Sequence, residues 1–554
     1  MMSFFREKTR ALYVVLASRL SWIILSLGIV FRLKHYLENR SVWLDEACLT
    51  VSITSRSLKE IFSYFEIFPE FPKQPLFFLV IERILVSILG TTDMVLRFFP
   101  FFSAILALIL FYRYLCRYAS RDILPWALAL FAFAEPMVYY AGEVKQYSSD
   151  LLMAVLALWV FEWIRRCEYK TGALLWLLAF GAAGLWMSNA LLFILAAFGV
   201  VLLDDMWARK RYAAAPLLFL IAAVWLLVLL VIYKLSLASM VGSTAILSTF
   251  AGSVYTGSWA NFPALIWWAL TAFLEMFRGA AGIYFTPLAG FLCLSGAALL
   301  WKRDRSRFWM FLFPVLATLV AAALEKYPFR GRLILFLMPG VILLIAEAIC
   351  ALISKYSAVR KVALTVALLA ALVAPSFLEA GFYLFHSHAK IETREALRLF
   401  HENYRQGDLL VFNTAGQEPF WHYAPIYGYG RLLAQPLGLF EGELQRGVRV
   451  VKFALDSIKS NGRECVPMRY EYNVYDAGGH FRRLLSGGDQ LLFACQDVPL
   501  ISKENWGRVW LYVATHDPLE QALIDIVKRS FDLSAKKIVQ KEDKGVGLYL
   551  YEFP

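Results

Sequence analysis

The chain has 554 residues, 60% of them hydrophobic and only 18% charged, with a formal net charge of +12. Soluble globular chains average about 45–50% apolar and about 25% charged residues, so one aqueous domain is excluded for most of this length. The positive charge lies in short clusters between apolar stretches, which argues for a membrane surface and against nucleic acid as the partner.

In chain order, the first apolar stretch runs over about 12–31 behind Arg6, Lys8 and Arg10. It is too long for a signal peptide and has no small-residue cleavage site, so it reads as a retained anchor. Further apolar stretches fall at about 75–89, 96–115, 123–141, 149–164, 171–187, 189–203, 213–234, 262–277, 282–301, 308–324, 331–351 and 361–381. Between them lie Arg113-Arg117-Arg121, Arg165-Arg166-Lys170, Arg209-Lys210-Arg211, Lys302-Arg303-Arg305-Arg307 and Lys355-Arg360-Lys361. If every basic cluster is cytoplasmic, an even number of crossings must separate successive clusters. Two stretches must then lie flat in the interface. The short ones at 75–89, with Glu82 and Arg83 inside, and at 262–277, with Glu275 near its end, are the candidates. About eleven crossings remain, with the N-terminus cytoplasmic and the C-terminal part outside, in an inner or plasma membrane.

Residues 386–554 read as a separate soluble α/β domain, against a membrane domain over 1–385. Helical periodicity covers 392–404 and 517–531, and strand-like runs fall at 408–413, 448–454, 490–494, 508–514 and 547–551. No GxGxxG or Walker A pattern opens a helix there, so nucleotide binding has no support. The seven cysteines show no metal-ligand spacing. Cys465 and Cys495 are the pair in the soluble part, where an oxidising compartment would permit a disulfide.

The outward-facing loops carry compact clusters of mixed charge. Asp45 and Glu46 follow the first span within Trp43-Leu44-Asp45-Glu46-Ala47. Two readings stand for them: a general base acting on an acceptor, or the first turn of a helix whose dipole favours acids. Lys73, between Pro72 and Gln74-Pro75, suits a phosphate and equally suits a snorkelling lysine at the membrane boundary. Glu143, Lys145 and Tyr147 share the next loop. Tyr327, Arg330 and Arg332 precede a late span, where arginine forks fit phosphate oxygens and an aromatic and basic belt is the plainer reading.

These residues resemble the lipid-phosphosugar-dependent glycosyltransferases of family 39, within the GT-C superfamily. That group includes protein O-mannosyltransferases and bacterial lipid A aminoarabinose transferases. The match runs from Trp43–Ala47 through Lys73-Gln74-Pro75-Leu76 to Leu89-Gly90 and Leu96-Arg97-Phe98-Phe99-Pro100, then to Arg332 and Pro339. It implies a GT-C-like membrane domain with interfacial helices. In it Asp45 is the catalytic or acceptor-positioning carboxylate, Glu46 supports it, Lys73 meets the donor phosphate and Glu143 is the second acidic position. Gln74 departs from the Pro or His of many relatives. The loop Glu143-Val-Lys-Gln-Tyr147 lacks an Asp-centred motif, which leaves Lys145 an equal candidate with Glu143.

The expectation is an integral-membrane glycosyltransferase with a polyprenyl-phosphate sugar donor and a lipid, protein or polysaccharide acceptor. Asp45, Glu46 and Glu143 would be catalytic, with Lys73, Lys145, Tyr327, Arg330 and Arg332 at the donor phosphate. No cofactor is required and no metal ligands stand out, although a divalent cation is compatible. The rival readings are a transporter or lipid flippase, which needs ionisable groups near the bilayer midplane, and a non-catalytic envelope assembly factor.

Overall fold

A computed structural model describes residues 2–62, 74–210, 212–237, 252–405, 408–423, 426, 449–453, 458–460, 463–475, 481–495, 507–515, 518–543 and 545–553. The chain forms two compact units. One is helical and holds residues up to Asn39 and most of the chain between Ser57 and Ser387. The other holds Arg40–Arg56 together with the described part of His388–Pro554.

The helical unit contains α1 (Met2–Leu37), α3 (Leu58–Ile61), α4 (Leu76–Leu89), α5 (Asp93–Tyr118), α6 (Ile123–Ala132), α7 (Glu135–Tyr139), α8 (Tyr147–Arg166), α9 (Thr171–Met187), α10 (Leu191–Ala208), α11 (Ala215–Ile232), α12 (Phe262–Gly279), α13 (Thr286–Arg303), α14 (Arg305–Ala323), α15 (Met338–Ile353), α16 (Ala358–Leu372) and α17 (Ala374–Phe382). Among the described residues, 7 helices are long and apolar enough to cross a membrane, or 9 if each bent pair makes one span. This is a multi-pass membrane protein. Of the remaining expected crossings, one is α9, an apolar helix of 17 residues, and the other is α13, which ends on Lys302 and Arg303. The two stretches expected to lie flat are α4 and α12.

The bent pairs have a covalent cause. The axes of α6 and its continuation, which runs through α7, meet at 57°, and those of α16 and α17 at 47°. Pro136 and Pro375 open the second member of each pair. A proline supplies no N–H and its ring crowds the carbonyl four residues back. For Pro136 that carbonyl belongs to Ala132. The preceding N–H, from Glu135, donates instead to Ser376 Oγ at 2.8 Å. Phe131 O and Ala132 O are thus both left without their usual helical donors. Arg32, fully buried on α1, takes them up: Nη1 donates to Ala132 O at 2.8 Å and to Gly28 O at 2.9 Å, and Nη2 to Phe131 O at 3.2 Å.

A charge cluster ties α5, α8 and α14 together near their ends. Arg307 Nε donates to Glu162 Oε1 at 2.8 Å, and the Tyr114 hydroxyl donates to the same oxygen at 3.3 Å. Arg165 Nη2 grips both oxygens of Asp304 at 3.0 and 3.1 Å, while Asp304 caps α14 by accepting from Arg307 N. Buried carboxylates persist when paired and hydrogen-bonded in this way.

Glu82 on α4 is the exception. It is fully buried, and neither carboxyl oxygen has a hydrogen-bond partner among the described residues. Burial pushes its carboxyl well above the usual range. A folded-state pKa raised in this way makes folding costlier as pH climbs past the unfolded value of about 4.3. The expected result for Glu82→Met is a protein more stable at pH 8 by about 1–3 kcal/mol, the cost of an unpaired buried polar group. The gain shrinks toward acid pH, and melting curves in detergent at pH 5 and pH 8 measure it.

The second unit is a mixed sheet between helices. Its elements are α2 (Leu44–Ser55), α18 (Thr393–Asn403), β1 (Leu409–Asn413), α19 (Thr414–Tyr423), β2 (Arg449–Phe453), β3 (Ile458–Ser460), β4 (Arg463–Tyr475), β5 (Phe481–Cys495), β6 (Arg508–Ala514), α20 (Pro518–Ser534), β7 (Lys536–Asp543) and β8 (Val546–Glu552). Strand order is β3-β4-β2-β1-β6-β8-β7, with β5 on β4; β2, β1 and β6 are parallel and the other pairs antiparallel. The period of two along β1 sorts its residues between two cores. Leu410 and Phe412 pack with Leu397 and Phe400 of α18 and Phe420 of α19. Leu409 and Val411 pack with Ile524, Val527 and Phe531 of α20. Cys465 of β4 stands directly opposite Cys495 of β5 in the antiparallel register.

Candidate functional site

The acidic motif lies at the start of α2. Trp43 is the N-cap, in extended conformation and without a side-chain cap, so Asp45 and Glu46 fall in the first turn. Glu46 is fully buried and Asp45 half-buried. Acidic side chains are common in a first turn, where free N–H groups and the positive end of the helix dipole face them. The helical setting is therefore real, and it is compatible with work as a base.

Residues from the far end of the chain hold this segment inside the second unit. The Val42 N–H donates to the Tyr423 hydroxyl at 2.8 Å. Ser41 Oγ donates to Glu392 Oε2 at 3.0 Å, and Thr50 Oγ1 pairs with His422 Nδ1 at 2.8 Å. Lys390 Nζ stands 3.5 Å over the Trp43 ring centroid, a cation–π contact. Val42, Trp43 and Ala47 share a core with Ile391, Phe412 and Trp510.

A second cluster forms within the helical unit, after the 3-10 turn Tyr140–Gly142. Glu143 is fully buried in extended backbone, and Lys145, also buried, donates its N–H to Glu143 O at 2.7 Å. The Arg332 guanidinium and the Glu143 carboxylate both lie close enough to the Tyr140 hydroxyl to act on it electrostatically. The Arg332 guanidinium lies 5.6 Å from the Tyr147 ring centroid, and the Tyr147 ring meets Tyr140 edge-on at 5.3 Å. Gly142 is required here: a Cβ would stand 2.9 Å from His35 Cδ2. A buried carboxylate, a guanidinium and two phenols thus share one place, the mixture that orients a hydroxylated ligand carrying an anion.

The other expected residues are placed as follows. Tyr327 donates its hydroxyl to Leu333 O at 2.7 Å and packs its ring on Phe193, which braces the turn Gly331–Leu337. Arg330 is exposed, with no ion-pair partner among the described residues. Lys73 lies outside the described residues. Among the described residues no group of three His, Cys, Asp or Glu side chains gathers as a metal site. Sequence reading misses Tyr140, His35 and the whole set around α2 (Lys390, Glu392, His422 and Tyr423). Tyr140 could have been found, since it adjoins the Glu143 loop. Glu392, His422 and Tyr423 lie 351–381 positions from their partners in the α2 segment and leave no local signal.

Helices long enough to span a bilayer, joined in one chain to a layered α/β unit, define a polytopic membrane protein that also carries a sheet domain. No protein-family model matches the chain, and no curated protein matches its sequence. Among solved structures it is similar to an oligosaccharyltransferase from Archaeoglobus fulgidus in complex with Zn and sulfate, at 15% identity and a TM-score of 0.46, over 78% of this chain and 68% of that one. It is also similar to ArnT from Cupriavidus metallidurans in the apo state, at 10% identity and a TM-score of 0.47, over 98% of both chains. The same ArnT bound to undecaprenyl phosphate gives 12% identity and a TM-score of 0.43, over 97% of this chain and 98% of that one.

Proposed function

We propose that the chain is an integral-membrane glycosyltransferase that moves a sugar from a polyprenyl-phosphate-linked donor to an acceptor at the outer face of the membrane. The observation that carries this reading is the cluster of Glu143, Tyr140, Arg332 and Tyr147, which brings together residues from two loops far apart in the chain that the sequence marks separately. The residue resemblance that begins at Trp43-Leu44-Asp45-Glu46 supports it independently.

In the reaction, an acceptor hydroxyl or amine attacks the anomeric carbon and its proton passes to Asp45. The bond between that carbon and the phosphate oxygen breaks, and polyprenyl phosphate leaves with the electron pair. A single displacement inverts the anomeric centre. Charge grows on the leaving phosphate, so fixed cations aimed at it are the larger contribution. Arg332 takes this role, with Lys73, Arg330 and Lys145 as further donors. Tyr327 serves by bracing the turn that carries Arg332. Glu46 supports Asp45, and Glu143 orients sugar hydroxyls. A divalent cation beside the donor phosphate would add to the same stabilisation.

The α/β unit has a defined part in this reading: it holds α2, and so Asp45, in place. Tyr423→Phe removes the hydroxyl that accepts from the buried Val42 N–H, at a cost of about 1–3 kcal/mol in local order. The expected result is a lower kcat with an unchanged KM for the donor. Steady-state rates on the purified protein separate the two constants.

The test of the function itself uses the purified chain in vesicles with a radiolabelled polyprenyl-phosphate sugar and an extract of cell-envelope acceptors. Transfer of label with release of polyprenyl phosphate is expected, together with loss of one envelope modification in cells lacking the chain. Intact donor after prolonged incubation, with an unchanged glycolipid and glycan profile in those cells, would overturn the reading. Transport is the weaker alternative: of Glu135, Glu162 and Glu347, the carboxylates in or near spans that it could use, Glu162 and Glu347 are held by Arg307 and Arg303 at 2.8 and 2.6 Å.

A further inference from the structure

The basic residues at the span ends divide into two kinds. Arg165, Arg209, Arg303, Arg305 and Arg307 each have a carboxylate within 2.6–3.3 Å. Arg113, Arg117 and Arg166 have none among the described residues. These three gather at one place, where the ends of α5 and α8 lie side by side.

An open groove of about 620 Å³ runs between the two helices there, lined by Arg113, Arg117, Tyr118, Trp159, Val160 and Trp163 together with Cys116. Its walls follow from helical spacing. Arg113 and Arg117 are four apart on α5, and Trp159 and Trp163 four apart on α8, so each pair shares one face. Tyr118 closes the end: Arg166 Cζ lies 4.5 Å from its ring centroid and Arg117 Cζ 5.8 Å. Trp159 is fixed by donating Nε1–H to Leu110 O at 3.1 Å and by edge contact with Tyr118 at 5.5 Å. Glu162, one turn before Arg166 on α8, is already taken by Arg307 and Tyr114.

We infer that this groove is a binding site for an anionic phospholipid, with the phosphodiester on Arg113 and Arg117 and an acyl chain along Trp159, Val160 and Trp163. Charge complementarity selects the occupant. Guanidiniums without counter-charges over an apolar wall match a phosphate joined to hydrocarbon, and basic pockets between membrane helices hold lipid headgroups in this way. Indole rings suit the same depth, with an apolar body and a polar N–H. The site is separate from the cluster around Glu143 and does not depend on the proposed transfer reaction.

The test is intact-protein mass spectrometry of the full chain, delipidated in neutral detergent and titrated with phosphatidylglycerol or phosphatidylcholine. Saturable binding that favours phosphatidylglycerol is expected. Each arginine near the surface contributes about fivefold in affinity for a net anionic lipid, so R113Q/R117Q should weaken phosphatidylglycerol binding about 25-fold and phosphatidylcholine binding, whose net charge is zero, far less. Both residues are exposed, and an unchanged melting temperature verifies the fold of the variant. Arg209→Gln, at another span end and paired with Asp205, serves as the control and should bind like wild type. Equal affinity for the two lipids, or an equal loss in Arg209→Gln, would mean a diffuse basic surface and overturn the site. Displacement of the lipid by millimolar inorganic phosphate would reassign the groove to free phosphate and also overturn it.

Discussion

Asp45→Asn is expected to stop transfer, with kcat lower by about 10²–10⁴-fold, the usual contribution of a positioned general base. The substitution keeps the shape of the side chain and changes its capacity to accept a proton. Its structural cost is small: losing one anion from the first turn of α2 removes about 0.3–1 kcal/mol of dipole interaction. Trp43, the buried anchor beside it, and the contacts of Val42 and Thr50 with Tyr423 and His422 remain. Expression and melting temperature should therefore stay near wild type, as should the KM for the donor. Glu46 is fully buried, so it should not substitute for its neighbour. Steady-state rates with the labelled donor measure the effect. An Asp45→Asn enzyme running at the wild-type rate would place the base elsewhere. Glu143→Gln against Lys145→Met would then separate the two residues that the sequence leaves level.

The elements legible in the sequence are those whose signal is local. Apolar length picks out the spans, and unbroken apolar runs in Leu409–Asn413 and Arg508–Ala514 pick out central strands buried on both faces. The apolar stretches at 75–89 and 262–277 are the helices α4 and α12. The long strands Arg463–Tyr475 and Phe481–Cys495 are less visible, because charged and polar residues interrupt their apolar pattern. β7 escapes for a similar reason: Lys536–Asp543 alternates half-buried and exposed residues and is largely polar. At the candidate site, the sequence marks Glu143 and Arg332 one at a time as charges at span ends. Tyr140 adjoins the Glu143 loop in the sequence, but its meeting with Arg332 leaves no local trace, since it depends on how α8 packs on the turn Gly331–Leu337. The capture of Arg40–Arg56 by the α/β unit is likewise a tertiary event. Arg32 is invisible for the opposite reason. One basic residue near the end of an apolar span is what a snorkelling side chain looks like, and nothing nearby shows that its partners on α6 are 99 and 100 positions away.

Arg32→Leu is expected to be the most damaging single change to the fold, although Arg32 is in neither cluster proposed to act on substrate. Leucine suits a membrane helix by every local measure, so hydropathy alone predicts a neutral or stabilising effect. The hydrogen bonds predict the reverse. Phe131 O has lost its helical donor because Glu135 N–H goes to Ser376, and Ala132 O has lost its own because Pro136 has no N–H. Within a bilayer no water replaces these donors. Each carbonyl left unpaired costs about 1–3 kcal/mol, so the two together cost about 2–6 kcal/mol, a large share of the stability of a typical protein. Arg32→Lys should fall between, since one ammonium is a poorer match than a planar fork for carbonyls approached from both α1 and α6. Melting in detergent should follow the order wild type, Arg32→Lys, Arg32→Leu, with the yield of folded protein falling in step. An Arg32→Leu protein as stable as wild type would show that the bend between α6 and α7 satisfies its own carbonyls. A pair of prolines would then kink the spans without needing an arginine to close the gap.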